Sequence, residues 1–295
     1  MFGRMLSESL IEIIKFDLEE FFMKTIFITG ASSGIGRAAA KHFAERGWNV
    51  VATMRTPENE TEFLKMNNIL VLRLDVEKKD TIQNAVAEGI QRFGKIEALL
   101  NNAGYGTIGI LEAATEEQIR RQFEVNVFGL INMTKAIVPH FRSNQEGVLI
   151  NISSMAGKVT FPSMSLYHSS KFAVEGFSEG LAYELASQNI KVKLIEPGAT
   201  INTDFGGRSM ELYFDESLTD YKPFTAAFLS KLVEMQKDPA YTSTPEIVAE
   251  TIYQAATDGT NQFRYVIGEN AKTLINMKES LGGEEYMKFI TQHFS

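Results

Sequence analysis

The sequence predicts an α/β protein built on one doubly wound parallel sheet of about seven strands. Three observations predict it. Short β-branched apolar runs alternate with helical segments from Lys24 onward. Runs such as "VLINI" are apolar almost throughout, as strands covered on both faces must be. A glycine-rich turn, "TGASSGIG", follows the first of these runs directly.

Taken in order, "KTIFITG" is the first strand, and "GRAAAKHFAERG" follows as a helix with Gly47 past its end. "NVVATM" is the second strand, with a short helix over Thr61 to Met66. "ILVLRLDV" is the third, leading into a helix from Lys79 to Phe93. "IEALLNN" is the fourth, and one long helix is predicted from Thr115 to Arg142, with Pro139 bending or loosening its last turn. "GVLINIS" is the fifth strand, Leu166 to Ser187 a helix, "KVKLIEP" the sixth strand and "QFRYVIG" the seventh. Only Thr203 to Thr244 breaks the alternation. Its aromatics (Phe205, Tyr213, Phe214, Tyr221, Phe224, Phe228) and its length predict a lid over a binding site.

No repeat or linker divides residues 23–295, which are expected to form one domain. Residues 1–22 stand apart as an extension. Leu6, Leu10, Ile13, Ile14, Leu18 and Phe21 recur at helical spacing, predicting an amphipathic helix that packs on the body or precedes a natural start at Met23. A membrane-surface or partner-binding helix is the alternative, weakened by its acidic residues, which anionic lipid repels. The same residues exclude a secretory or transit peptide.

Composition narrows the function. A net charge of −8 argues against nucleic-acid binding, which needs a basic face to displace counterions. The absence of Cys excludes disulfides, thiolate zinc sites and cysteine catalysis, and suits a reducing, cytoplasmic setting. His42, His140, His168 and His293 show no ligand spacing, so no metal site is expected. No run is apolar for long enough to span a membrane.

"TGASSGIG" sits where a first βαβ unit binds a dinucleotide. Glycines at 30, 34 and 36 let the backbone approach a pyrophosphate, and the next helix offers free N–H groups and its positive dipole end. The bland alternative is a tight connection. Gly30, Ser32, Ser33, Gly34, Ile35 and Gly36 are the candidate contacts. An acid that holds an adenosine 2′-hydroxyl is usually found ~20 residues on. Here the second strand ends "ATMRT", with Arg55 and no carboxylate at its tip. That favours NADP over NAD: Arg55 would meet the 2′-phosphate, with Ser32, Ser33 and Arg37 nearby.

"SLYHSSK" crowds several reactive groups together. Tyr167 and Lys171, at i and i+4, emerge on one helix face. An ammonium beside a phenol favours the phenolate and lowers its pKa from about 10 toward usable acid–base strength. Adjacent helical residues point about 100° apart, so His168 cannot share that face. A Ser–His–acid triad also lacks the Gly-x-Ser-x-Gly elbow it would need.

Further motifs fall in order: "LDV" at 74–76, "NNAG" at 101–104, Asn126 in "FEVNVFG", Ser154 in "ISS", "YHSSK" ending at Lys171, and "PG" at 197–198. With "TGASSGIG" ahead of them, the chain resembles the short-chain dehydrogenase/reductase family over roughly Lys24 to Thr203. Its C-terminal part looks like the retinol and 17β-hydroxysteroid dehydrogenase branch. The resemblance implies a Rossmann fold and an active site of Asn126, Ser154, Tyr167 and Lys171. Tyr167 would exchange the proton and Ser154 would bond the substrate oxygen. Lys171 would tune Tyr167 and hold the nicotinamide ribose, and Asn126 would hold a water linking Lys171 to solvent. It further implies that Asp75 and Val76 lie by the adenine, that Asn102, Ala103 and Gly104 flank the cofactor, and that Pro197 and Gly198 lie beside the nicotinamide. The family often has Thr five residues after that Pro. Here Asn202 stands there between Thr200 and Thr203, and Thr200 is taken as the contact.

The expected activity is hydride transfer between a nicotinamide cofactor, NADP ahead of NAD, and a small apolar carbonyl or alcohol. Two alternatives are a silent cofactor-binding regulator and a sugar-nucleotide epimerase. The epimerase shares Tyr-x-x-x-Lys but favours a TGxxGxxG spacing. Family analogy also implies a homodimer or homotetramer joined through the helices at 115–142 and 165–187.

Overall fold

A computed structural model describes residues 23–201, 210–236 and 242–294. The N-terminal extension, Thr203 and Phe205 lie outside the described residues.

Seven strands form one parallel sheet: β1 (Thr25–Ile28), β2 (Asn49–Met54), β3 (Ile69–Arg73), β4 (Ala98–Asn101), β6 (Gly147–Ile152), β7 (Ile190–Pro197) and β11 (Arg264–Ile267). Their spatial order is β11-β7-β6-β4-β1-β2-β3. The order reverses direction beside β1 and β4, and ligands of such sheets bind outside the strand ends there. Side chains alternate between faces. Ile26, Ile28, Val50, Ala52 and Leu100 therefore enter one core layer, while Phe27, Val51, Leu99 and Leu149 enter the other. Helices cover both layers. On the first, α1 (Gly34–Glu45) buries Ala39, Ala40 and Phe43 beside α7 (Pro245–Thr257), with Thr244 capping the latter. On the second lie α2 (Lys79–Phe93), α4 (Leu130–Asn144) and α5 (Ser165–Ala186), contributing Ile82, Met133, Ile137 and Leu185.

Two predicted helices are corrected. Thr61 to Met66 holds no α-helix, only a 3₁₀ turn at Phe63–Lys65. Glu60 organises this segment, its carboxylate accepting the Glu62 and Phe63 N–H groups while pairing with Arg37. Six residues are also too few to sustain a helix unaided. The single helix predicted over Thr115 to Arg142 is α3 (Glu116–Phe123), a π-helical turn (Glu124–Gly129) and α4, which continues through Pro139.

The variable region holds structure of its own. Strand β5 (Gly106–Gly109) pairs with β9 (Met210–Tyr213), and β8 (Ala199–Thr200) with β10 (Thr242–Ser243). Helix α6 (Lys222–Gln236) follows β9. Two C-terminal helices, α8 (Glu269–Leu281) and α9 (Gly283–Phe294), had no counterpart in the sequence reading. They join Ile108, Val159 and Phe228 in a third apolar cluster through Ile275, Tyr286, Ile290 and Phe294.

Candidate active site

A cleft of about 1260 Å³ opens at the carboxyl ends of the strands. The turn from β1 to α1 forms one wall. Gly30 has φ +70° and Gly34 φ +53°, conformations that suit glycine. Ser33 does not cap α1 with its side chain, and the helix has no acid in its first turn. No side chain therefore compensates the positive end of this helix, which leaves it able to receive an anionic ligand. Gly30, Ser32, Ser33, Gly34 and Ile35 line the cleft. Gly36 does not: a Cβ there would lie 2.3 Å from Gly30 O and 2.4 Å from Asn102 Nδ2. Its place is in the packing of α1 behind the turn. Asn102 ties β4 to the same turn, donating to Thr29 O and Gly30 O at 3.0 Å each.

Arg55, Asp75, Val76, Asn102, Ala103 and Gly104 also line the cleft. Arg55 makes no ion pair among the described residues. Arg37 is committed elsewhere, to Glu60 at 2.6 Å and Glu62 at 2.6 Å. It is removed from the phosphate candidates, because two carboxylates already satisfy its guanidinium.

Tyr167, Lys171 and Ser154 converge across the cleft, and the Tyr167 and Ser154 hydroxyls are hydrogen-bonded. Lys171 Nζ donates to Ile152 O at 2.8 Å and lies 5.9 Å from the Tyr167 ring centre. Burial pushes the Tyr167 hydroxyl up to about 12, with the Ser154 bond pulling the other way. The expected lowering of Tyr167 by the ammonium is therefore corrected. Burial dominates, and it brings Lys171 itself down to about 8 despite Glu175 one turn along. Glu175 pairs with Arg264, which also holds Glu196, and burial beside Glu175 pushes Glu196 up to about 7.

Asn126 sits in the π turn and does not line the cleft. Its amide nitrogen donates to Tyr105 O (2.9 Å) and Ser170 Oγ (3.1 Å), and Oδ1 accepts from Tyr105 N (3.0 Å). Its side chain anchors the loop after β4. The His168 ring bonds Ala156 O and Phe161 N, and burial lowers its pKa below the usual histidine value. Ser170 bonds back to Tyr167 O, and Ser169 to Ser165 O. Pro197, Gly198 and Thr200 line the cleft near Ser154, whose Oγ lies 3.4 Å from Pro197 O.

The far end of the cleft is apolar, with Ile108, Met155, Phe161, Met164, Leu232 and Phe294 among its walls. Of the aromatics predicted to line it, Phe228 does; Phe214, Tyr221 and Phe224 are exposed instead. Sequence reasoning gave no role to Asn270, which lies within "RYVIGENAK" and also lines the cleft. Among the described residues no His, Cys, Asp or Glu cluster could hold a metal, and no helix is long and apolar enough to cross a membrane.

A family model for short chain dehydrogenases matches residues 24–211. The chain belongs to this family. A 3-ketodihydrosphingosine reductase of Bacteroides thetaiotaomicron is 34% identical over 269 residues, covering 91% of this chain and 97% of that protein. A solved short-chain dehydrogenase of Streptomyces avermitilis superposes with a TM-score of 0.77 at 31% identity, covering 88% and 93% of the two chains. A structure of ElxO with NADP bound gives a TM-score of 0.71 at 26% identity, covering 85% and 100%. This dehydrogenase/reductase is an oxidoreductase of CH–OH groups that depends on a nicotinamide cofactor, NADP or NAD. The uncompensated α1 N-terminus, the bare glycine turn and Arg55 fit such a dinucleotide.

Proposed function

We propose that the protein is an NADP-preferring carbonyl reductase for an elongated apolar substrate, with Ser154, Tyr167 and Lys171 as its catalytic residues. The observation that carries this reading is the Tyr167–Ser154 hydrogen bond, set beside Lys171 in the cleft that the glycine turn and Arg55 also line. The bound cofactor supplies the hydride. Tyr167 gives its proton to the carbonyl oxygen, and Ser154 donates a hydrogen bond to the same oxygen as its charge grows. A Tyr167 hydroxyl held at about 12 is protonated at neutral pH, as the proton donor of the reduction must be. Lys171 is positioned to bond the ribose. Asn126 acts as a positioning residue through Tyr105 and Ser170.

The adenine end takes Asp75 and Val76, and the 2′-phosphate takes Arg55 with Ser32 and Ser33. Asn102, Ala103, Gly104, Pro197, Gly198 and Thr200 border the rest of the cofactor. The apolar far wall supports the substrate class, as does the long-chain ketone in the name of the 34%-identical relative. Residues 23–295 act as one domain with the segment at 203–244 as its lid. Exposed Phe128, Phe172 and Tyr183 support pairing of two copies, and the lack of Cys suits the cytoplasm.

NADPH oxidation across a panel of long-chain, steroid and small polar ketones tests the reading. Turnover confined to the polar ketones would refute the substrate class. Arg55→Asp should cut the NADPH-to-NADH ratio of kcat/KM about tenfold or more, the loss of a charge-assisted bond. An unchanged ratio removes Arg55 from the phosphate site.

A further inference from the structure

Glu175 and Glu196 are buried carboxylates to which the proposed reaction gives no task. Glu175 lies on α5 one turn after Lys171 and is 6% exposed; Glu196 stands on β7 directly before Pro197 and is 1% exposed. Arg264 of β11 draws them together. Its Nη1 donates to Glu175 Oε2 and to Glu196 Oε1, while Nη2 reaches the exposed Glu179 at 3.1 Å. One guanidinium nitrogen thus serves two carboxylates.

Glu175 Oε1 is buried and has no donor among the described residues. The turn Met155–Gly157 closes over it: a Cβ at Gly157 would lie 3.1 Å from Oε1 and 2.8 Å from Ser153 Oγ. The Glu175 and Glu196 side chains are also hydrogen-bonded to each other. Ionised carboxylates only accept, so that bond forms only when one of the two carries a proton. Burial and the neighbouring Glu175 charge raise Glu196 to about 7, in keeping with a shared proton.

Few charges face this pair. On α5 they are Lys171 and Glu179, and on β11 Arg264. β6 carries no charged residue. The turn at Gly157 is followed by Lys158, whose carbonyl accepts from Lys278 of α8. His168, on the same helix as Glu175, is bound to Ala156 O and Phe161 N. Of these groups Lys171 is the one in the cleft beside Tyr167. Its Nζ bonds Ile152 O and makes no ion pair among the described residues, yet the Glu175 charge raises its pKa against burial. Residues at i and i+4 on a helix lie about 5–6 Å apart at Cβ, and a unit charge at that range acts through the protein interior without contact.

We propose that Glu175 and Glu196 hold one proton between them and that this acid pair acts through Lys171, the charge it gains on losing that proton keeping Lys171 an ammonium. The importance of that ammonium rests on the catalytic reading above. Neither glutamate touches the reacting atoms; both are positioning residues. As pH rises the pair gives up its proton to solvent before Lys171 does, and the added negative charge delays the second loss. The cation beside Tyr167 therefore persists further into the alkaline range.

Carbon-13 NMR of ligand-free protein labelled at the lysine ε-carbons reads this charge, with the Lys171 signal identified by its loss in Lys171→Met. Glu196→Gln, whose amide still donates to Glu175, fixes the pair at one negative charge. It should lower the Lys171 midpoint by about half a pH unit or more, and Glu175→Gln should do the same. Glu179→Gln, at the exposed side of Arg264, should leave the midpoint in place. The alkaline limb of kcat for ketone reduction should move with the midpoint, at unchanged carbonyl KM. In wild type a protonated-carboxyl infrared band should be present at pH 6 and lost by pH 8, and the Lys171 signal should show a first, smaller step over the same range; these two readings serve if the glutamine variants fail to fold. An unmoved midpoint in both variants, or no first step in wild type, overturns the coupling. Absence of the band overturns the shared proton, and an equal shift in Glu179→Gln overturns the assignment to this pair. If the NMR shifts appear and wild type reduces no ketone, the catalytic reading fails while the acid pair and its hold on Lys171 stand.

Discussion

Two tyrosine–lysine pairs in which both residues are buried, Tyr167–Lys171 and Tyr265–Lys193, are alike in their groups and opposite in their surroundings among the described residues. Lys193 on β7 donates to Tyr265 OH (3.1 Å), Thr260 O (2.9 Å) and Gln262 O (2.8 Å), with Asp258 Oδ1 at 3.3 Å. Tyr265 donates in turn to Asp258. Every valence of that ammonium is spent, and the group closes the edge of the sheet where β11 meets β7. Lys171 has one protein acceptor, Ile152 O, and borders the cleft beside Tyr167. Both phenols are pushed up to about 12 and both lysines are brought down, chiefly by burial. The perturbation therefore does not separate them. What separates a reactive pair from a structural one here is unspent hydrogen-bonding capacity facing a cleft.

Removing each phenol should produce the largest contrast. Tyr167→Phe deletes the proton donor and should lower kcat by about 10²–10⁴-fold, the range for lost general acid–base catalysis, while NADPH affinity holds. Tyr265→Phe should leave kcat within about twofold and cost about 1–3 kcal/mol of unfolding free energy, because Asp258 and Lys193 lose a partner. Steady-state kinetics and urea titrations measure both. Equal kinetic losses in the two variants would break the distinction.

Removing each ammonium tests the same contrast in stability. Lys193→Met takes the cation from beside Asp258, which keeps Tyr265 and Thr260 as donors, strips two carbonyls of their donor, and should cost about 3 kcal/mol. Lys171→Met strands only Ile152 O and should cost far less, yet reduce kcat/KM strongly. If Lys171→Met proves the more destabilising of the two, the saturation argument fails.

The sequence carried one of these pairs and not the other for a physical reason. Tyr167 and Lys171 are four apart on one helix, so their meeting is a local consequence of helical pitch. Tyr265 and Lys193 are 72 residues apart and meet only because β11 pairs with β7 in a particular register. The glycine turn and the alternating strands were legible on the same local grounds. The place of Asn270 in the cleft wall was not, because it depends on Gly198, which the pairing of β11 with β7 brings beside it. The aromatic insert was legible only in part. Its composition announced a lid, but which rings face inward depends on the packing of α6, α8 and α9 that only the fold supplies. Helix α9 had a readable signal in Tyr286, Ile290 and Phe294, each four apart and all buried.

The smallest effect separates the reactive lysine by pH. Lys171 titrates near 8 in the folded protein and near 10.5 unfolded. Below pH 8 the fold carries the full penalty of burying its charge. Between 8 and 10.5 the unfolded chain holds more protons than the folded one, so stability rises with pH across that window. Above about 10 the buried tyrosines act in the opposite sense, because their raised values make the folded state hold the extra protons. Urea unfolding of the ligand-free protein at pH 8 and pH 10 isolates the lysine contribution. Lys171→Met removes the titrating group, so its gain over that interval should fall short of the wild type's by on the order of 2 kcal/mol. Lys193 contributes equally to both proteins and cancels in the difference. A variant that gains as much as the wild type would mean that Lys171 stays charged through pH 10. Its capacity would then be spent within the protein, and the contrast with Lys193 would dissolve.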